Sequence, residues 1–413
     1  MSTVAETPRH AETATPWPML ALIVAVTLNI QSQIFAVGPL LPRIVDDLAL
    51  SGSVAGLVAG VPTLMMGLGA LPGGRLADRL GAGWSLAAGL AVAAVAGGLR
   101  GLAPGAPSLL ALTVAMGAGI GLALPGMPAY FRQRLPDLIS TATGAYTLGL
   151  VLGAIVTTGL TGPLLVPRFG WRGALVFWAA AAGVATVLWL LGTRPWRTGR
   201  PVAAPAAARS AAAWSPWRDR TVRVAAGVYA AQGLVYFLLV LWLPAVYLDA
   251  GLSDAAAGAR LAVLTGASLP GTVLFPAWIR RDGSTRAPLL ASTAMTFAGA
   301  LGFALATTAP TLEWLWPALA GLGVCGMLVA AVVDTANAAP TSRTGDAAGA
   351  VLAVGYVLTA LGPLLAGVVR DRTGTYSSAM LILPVITAAA LLLAFLSPNL
   401  PSVRAVEEGE PAP

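Results

Sequence analysis

Lysine is missing from this 413-residue chain, so all 24 basic residues are arginine. Without lysine there is no phosphate-binding loop of the Gly-x-x-x-x-Gly-Lys-(Ser/Thr) type, and nucleotide hydrolysis is not expected to drive the protein. Cysteine occurs once, at Cys325, and histidine once, at His10. That pair excludes an intramolecular disulfide, a His/Cys metal site and a His-based catalytic triad. With no nucleophile–base pair in view either, no enzyme activity, metal or cofactor is expected. Charge is scarce too: 10% of the residues are Asp, Glu, Lys or Arg, against about a quarter in a soluble domain.

What fills the chain is apolar, 57% of it, with a mean hydropathy of +0.80. A span of ~30 Å of hydrocarbon takes about 20 such residues. Windows of that length fall at 18–40, 51–72, 84–103, 107–130, 138–163 and 173–192, then at 222–247, 255–279, 287–308, 312–336, 347–367 and 377–397. The expected fold class is an all-α polytopic membrane protein of twelve transmembrane helices in two six-helix bundles, residues 18–192 and 222–397. Residues 193–221, with six arginines among Pro, Ala and Ser, read as a basic linker. Residues 1–17 and 398–413 read as polar tails, the first lacking the basic start of a signal peptide. With both tails in the cytoplasm, 17 arginines fall inside and 7 outside, the bias expected of a protein in the cytoplasmic membrane. The net charge of +7 is absorbed by that bias; no arginine cluster is interleaved with a stacking platform for nucleic acid.

An internal repeat supports two halves. Gly162-Pro163-Leu164-Leu165 recurs as Gly362-Pro363-Leu364-Leu365, and Asp78 has a counterpart in Asp282, both about 200 residues on. Polar side chains inside apolar windows are costly and therefore informative. In span 1 Asn29 and Gln33 are four apart and share a face, which suits either a solute cavity or bonds between helices. Tyr229, Gln232 and Tyr236 form one stripe on span 7, the partner of span 1 in a two-fold arrangement. Tyr146 in span 5 and Tyr356 in span 11 make another such pair. Arg100 falls ~24 Å along span 3 at 1.5 Å per residue, placed either to attract an anion or to snorkel to the outer interface. Asp334, the one acidic residue well within a long apolar run and near the inner end of the tenth window, is a candidate for proton coupling, or else caps a turn or pairs with Arg343.

Between the second and third windows lies Gly74-Arg75-Leu76-Ala77-Asp78-Arg79-Leu80-Gly81. This stretch resembles the loop between helices 2 and 3 of the major facilitator superfamily, Gly-x-Leu-(Ala/Gly)-Asp-Arg-x-Gly. The reading is a charged turn, with Gly74 and Gly81 bending the backbone and Asp78 and Arg79 forming a conformational latch at a helix end. Longer matches are similar to the cyanate/2-nitroimidazole permease branch: Pro128 to Pro136, Thr143-Gly144-Ala145-Tyr146, Gly170-Trp171-Arg172, Trp242-Leu243-Pro244, Gly355-Tyr356, Asp371-Arg372-Thr373-Gly374 and Leu99 to Pro104. Two departures stand out, apolar residues where relatives carry a Gln before Gly355, and Asp334 itself. The resemblance implies a secondary transporter of a small anion or a small polar or nitro-heterocyclic compound, working as a monomer in lipid. Asn29, Gln33, Tyr146, Tyr229, Gln232, Tyr236 and Tyr356 would then line its site and Arg100 steer charge. A drug-efflux transporter of the same fold and a transporter-like substrate sensor remain the alternatives, although Gly162-Pro163 is not followed by the Gly-Gly of an antiporter signature and the tail after Pro398 is short.

Overall fold

The computed structural model describes residues 17–193, 215–305, 312–339 and 344–397; linker residues 194–214, tail residues 1–16 and 398–413, and Arg343 lie outside the described residues, and the end of the expected linker is a 3-10 turn, Pro216–Arg218, leading into a helix that starts at Arg220. Among them there is no β-strand. Fifteen α-helices run in order: α1 (Trp17–Phe35), α2 (Val37–Leu48), α3 (Gly52–Leu80), α4 (Ala82–Leu99), α5 (Ala106–Ala123), α6 (Gly126–Arg134), α7 (Ile139–Leu160), α8 (Val166–Gly192), α9 (Arg220–Asp249), α10 (Asp254–Gly266), α11 (Ser268–Asp282), α12 (Arg286–Ala304), α13 (Leu312–Ala338), α14 (Thr344–Thr373) and α15 (Ile382–Leu396). Eleven apolar helical stretches are long enough to cross a bilayer, and one of them, the 52 residues Thr141–Gly192, doubles back at a kink. The kink is at Gly170, whose φ of 64° and ψ of −177° suit a residue without a Cβ. Twelve crossings result, as the hydropathy windows predict.

The turn after the second crossing differs from the sequence reading. Gly74 lies inside α3, which runs on to Leu80, and the reversal is made by Gly81 alone (φ 89°, ψ 146°). Upstream of it α5 packs closely on Gly69 and Gly73 of the same helix. The latch residues therefore project from a helical end rather than from an extended turn. The side chain of Asp78 lies outside the described residues; Arg79 is exposed.

Helix starts are capped where the chain offers a hydroxyl or carboxylate. Ser51 Oγ accepts from the Val54 amide, Ser253 Oγ from Ala256, and Asp219 Oδ1 from Thr221 and Val222, the usual way of satisfying first-turn N–H groups. In the first half α1 packs on α7 and α8, α3 on α5, and α4 on α5 and α8; in the second, α9 packs on α13, α14 and α15, and α12 on α13 and α15. The halves meet through α3 with α14, α7 with α10, and α2 with α9.

The two-fold repeat is written in the backbone. Among the described residues, positive φ occurs at Ala49 and Gly251, at Gly81 and Gly283, and at Gly170 and Gly374, three pairs each about 200 residues apart. The repeated Gly-Pro pairs occupy equivalent inter-half contacts: Pro163 lies against Gly258 of α10, and Pro363 against Gly56 of α3.

Candidate functional site

The seam between α3 and α14 locates the site. Close approach of two helices in lipid needs small residues, and here Gly52 meets Gly367, Gly56 meets Pro363 and Leu364, Gly60 meets Ala360, and Gly67 meets the Cβ of Tyr356. Continuing this antiparallel register brings Gly74 opposite Gly349, yet a Cβ on either would find nothing within 4 Å. The halves are thus packed at the end of the bundle that carries Gly52 and part toward the end that carries Gly81. On α9, Gly38 of α2 presses on the backbone of Val240, at the same closed end.

Polar links fasten that closed end. Arg43 at the end of the first crossing donates Nη2 to Asp254 Oδ2 at 2.7 Å, each side chain only part exposed. Asp371, in the last turn of α14, accepts from the amides of Gly52 (2.5 Å) and Ser53 (2.8 Å) and from the Ser53 hydroxyl. A carboxylate on the unpaired N–H groups of a helix N-terminus is a favourable arrangement, and this one belongs to the other half of the molecule.

Two of the expected site tyrosines meet where the seam begins to open, and a third packs on the same core. Tyr229 of α9 and Tyr356 of α14 stand edge to face, centroids 6.4 Å apart. Tyr146 of α7, from the first half, packs against the same buried core as Tyr356, and Phe131 of α6 packs edge-on against it at 6.4 Å. Gly355 leaves room for the Tyr229 ring, which a Cβ there would strike. Gln232 is buried one turn beyond Tyr229. Tyr236 lies farther toward the closed end, edge-on to Phe35 at 5.8 Å, with Phe237 tilted on the same ring at 5.4 Å. This aromatic group joins α1 to α9 across the halves.

The remaining expected residues are elsewhere. Arg100 is buried, 1% exposed, so snorkelling to the interface is excluded; its Nη2 donates to the Gln33 carbonyl at 3.1 Å. The Gln33 carboxamide lies beside Gly97 of α4, near Ala179 of α8, within the first half rather than among the tyrosines. Asn29 donates to the Ala25 carbonyl at 2.8 Å. Asp334 is buried between the second half's own helices: Thr285 at the start of α12 donates to Oδ1 at 2.5 Å and Ser397 after α15 to Oδ2 at 3.5 Å. Among the described residues no group of His, Cys, Asp and Glu is disposed to hold a metal.

Sequence reasoning missed Phe35 and Phe131, because a phenylalanine in an apolar run carries no signal of its own. It also missed the seam, although Gly52, Gly56 and Gly60 at four-residue spacing would have marked it.

The family model that describes the Major Facilitator Superfamily matches residues 22–363. The chain belongs to the Major Facilitator Superfamily. Among curated relatives it is 28% identical over 362 residues to the cyanate transport protein CynX of Escherichia coli K12, covering 87% of this chain and 91% of that one. It is 28% identical over 365 residues to the 2-nitroimidazole transporter of the same organism, covering 86% and 88%. Both bear out the resemblance to that branch, and both are named as transporters rather than enzymes. Among solved structures, a bacterial homolog of the human lysosomal transporter Spinster, inward-facing and unoccupied, superposes with a TM-score of 0.79 at 18% identity, covering 93% of this chain and 97% of that one. This likeness establishes the superfamily fold of two pseudo-symmetric six-helix bundles.

Proposed function

We propose that this superfamily member carries a small planar polar solute, of 2-nitroimidazole size or less, through the cleft between its halves by alternating access. The observation that carries the reading is the edge-to-face pair of Tyr229 and Tyr356, with Tyr146 of the other half packed on the same core as Tyr356, at the level where the α3–α14 seam gives way. Ring faces stack on a planar solute and the hydroxyls bond to its nitro, carbonyl or ring-nitrogen atoms. The names of the cyanate and 2-nitroimidazole relatives point to solutes of this size. With both termini in the cytoplasm, as the arginine bias suggests, the Gly81 end faces the cytoplasm and the chain is held open inward. Arg75 and Arg79, exposed at that end, together with Asp78, then form the latch of the opposite state. Residues 18–192 and 222–397 are the rocking units, each chain holding one complete cleft.

Purified chain in sealed vesicles tests this with labelled 2-nitroimidazole and labelled cyanate. Counterflow of either is expected, with KM raised about three- to tenfold in Tyr229→Phe and Tyr356→Phe, the loss of one hydrogen bond each. Binding without flux would make the protein a sensor instead, and unchanged KM in both variants would remove the tyrosines from the site.

A further inference from the structure

A guanidinium inside a bilayer-spanning bundle needs a partner for its charge. Arg100 is 1% exposed, and of its donors only Nη2 has an acceptor; Nε and Nη1 have none. No carboxylate among the described residues forms an ion pair with it; Asp47 of α2 is held by Arg172 at 3.0 Å and by the Trp171 indole at 3.2 Å. Beside it stands a second orphan: Gln33, also 1% exposed, has neither Nε2 nor Oε1 bonded. Two adjacent helices leave both groups in place by having almost no side chain there. Gly97 and Gly98 face Ala179, Gly101 meets the Arg172 backbone, and a Cβ on Gly97 would strike Gln33 Oε1. Three unused donor atoms, two of them on the buried guanidinium, thus lie among the small residues of α1, α4 and α8.

We propose that this cluster of buried, unpartnered donors is a binding site for a small monovalent anion of halide or nitrate size, separate from the solute cleft. The anion bonds to Arg100 Nε–H and Nη1–H and to the Gln33 amide, neutralises the buried cation and fastens α1 to α4 behind the cleft wall. The chemistry selects for it: every vacant group but one is a donor, the sole charge is positive, and guanidinium suits halides and planar oxyanions alike. The site goes beyond the transport reading because its residues all belong to the first half, whereas the tyrosines lie on α7, α9 and α14.

The test is equilibrium dialysis of the purified full-length chain in detergent with radiolabelled chloride, ionic strength held with gluconate, followed by diffraction from crystals grown in bromide. Saturable binding of one chloride per chain is expected, with a bromide anomalous peak within hydrogen-bonding distance of Arg100. Arg100→Gln should weaken binding by about tenfold or more. Gly97→Ala, which keeps the cation and only displaces the Gln33 amide, should weaken it about three- to tenfold and stands in if Arg100→Gln does not fold. Tyr229→Phe should leave chloride binding unchanged while altering solute transport, so the two readings fail independently. No saturable binding to the wild type, or equal binding in both cluster variants, would overturn the proposal, as would competitive displacement of chloride by the transported solute, which would put the anion in the cleft.

Discussion

Ala49 follows α2 in a left-handed conformation, φ 46° and ψ 47°, where an L side chain costs about 1–2 kcal/mol. Its counterpart in the second half is Gly251, with φ 84°. Ala49→Gly is therefore expected to stabilise the protein by about 0.5–1 kcal/mol, seen as a higher Tm in detergent; a lower Tm would mean that the methyl packs better than the backbone suffers. Asp334 gives the second prediction at this scale. Its carboxylate ties α13 to Thr285 and Ser397, so Asp334→Ala should cost about 1–3 kcal/mol by stranding those hydroxyls. Asp334→Asn, which still accepts from Thr285, should keep both fold and the pH profile of transport. A flattened pH profile in Asp334→Asn would restore it as a proton carrier. The sequence marks such residues plainly, because Arg100, Gln33 and Asp334 interrupt apolar runs. It does not say what they face. Gln33 and Asn29 share a face of α1 by spacing, but whether that face looks onto the cleft or onto α4 depends on how the helix is rotated in the bundle, which no single window records.

At the scale of elements, the seam of α3 and α14 is held by a backbone zipper of small residues and by one carboxylate. Asp371 is exposed, so its contact with the α3 N-terminus is worth no more than about 1 kcal/mol after solvent screening, enough to shift a two-state balance about fivefold. Asp371→Asn should accordingly open the Gly52 end more often. A cysteine at Ser53 in a background lacking Cys325 should then react faster with a membrane-impermeant thiol reagent, by about two- to fivefold. An unchanged rate would show that the glycine zipper alone sets closure. The elements themselves are legible from length and hydropathy, and all twelve crossings fall where the windows lie. The Gly74–Gly81 stretch is misread because both glycines are taken as turn signals, whereas glycine in a bilayer-spanning helix also serves close packing against a neighbour, as Gly69 and Gly73 of the same helix do against Gly121 and Leu122 of α5.

For the whole molecule, the proposed alternating access of two halves related by a near two-fold axis requires a second state in which the packed and parted ends exchange roles. Gly74 of α3 and Gly349 of α14 are the positions that must then approach, since they continue the register of Gly52 with Gly367 and Gly60 with Ala360. With Cys325 replaced by alanine, a Gly74→Cys/Gly349→Cys pair should cross-link slowly in the wild-type balance, because a Cβ at either position here meets nothing within 4 Å. Adding Asp371→Asn should speed the reaction by the same few-fold factor that it gives at Ser53, since both readouts sample one equilibrium. The cross-linked protein should bind solute without counterflow, and reduction should restore transport. Equal cross-linking rates with and without Asp371→Asn, alongside a changed rate at Ser53, would mean that the two ends open independently and that the halves do not move as rigid bodies.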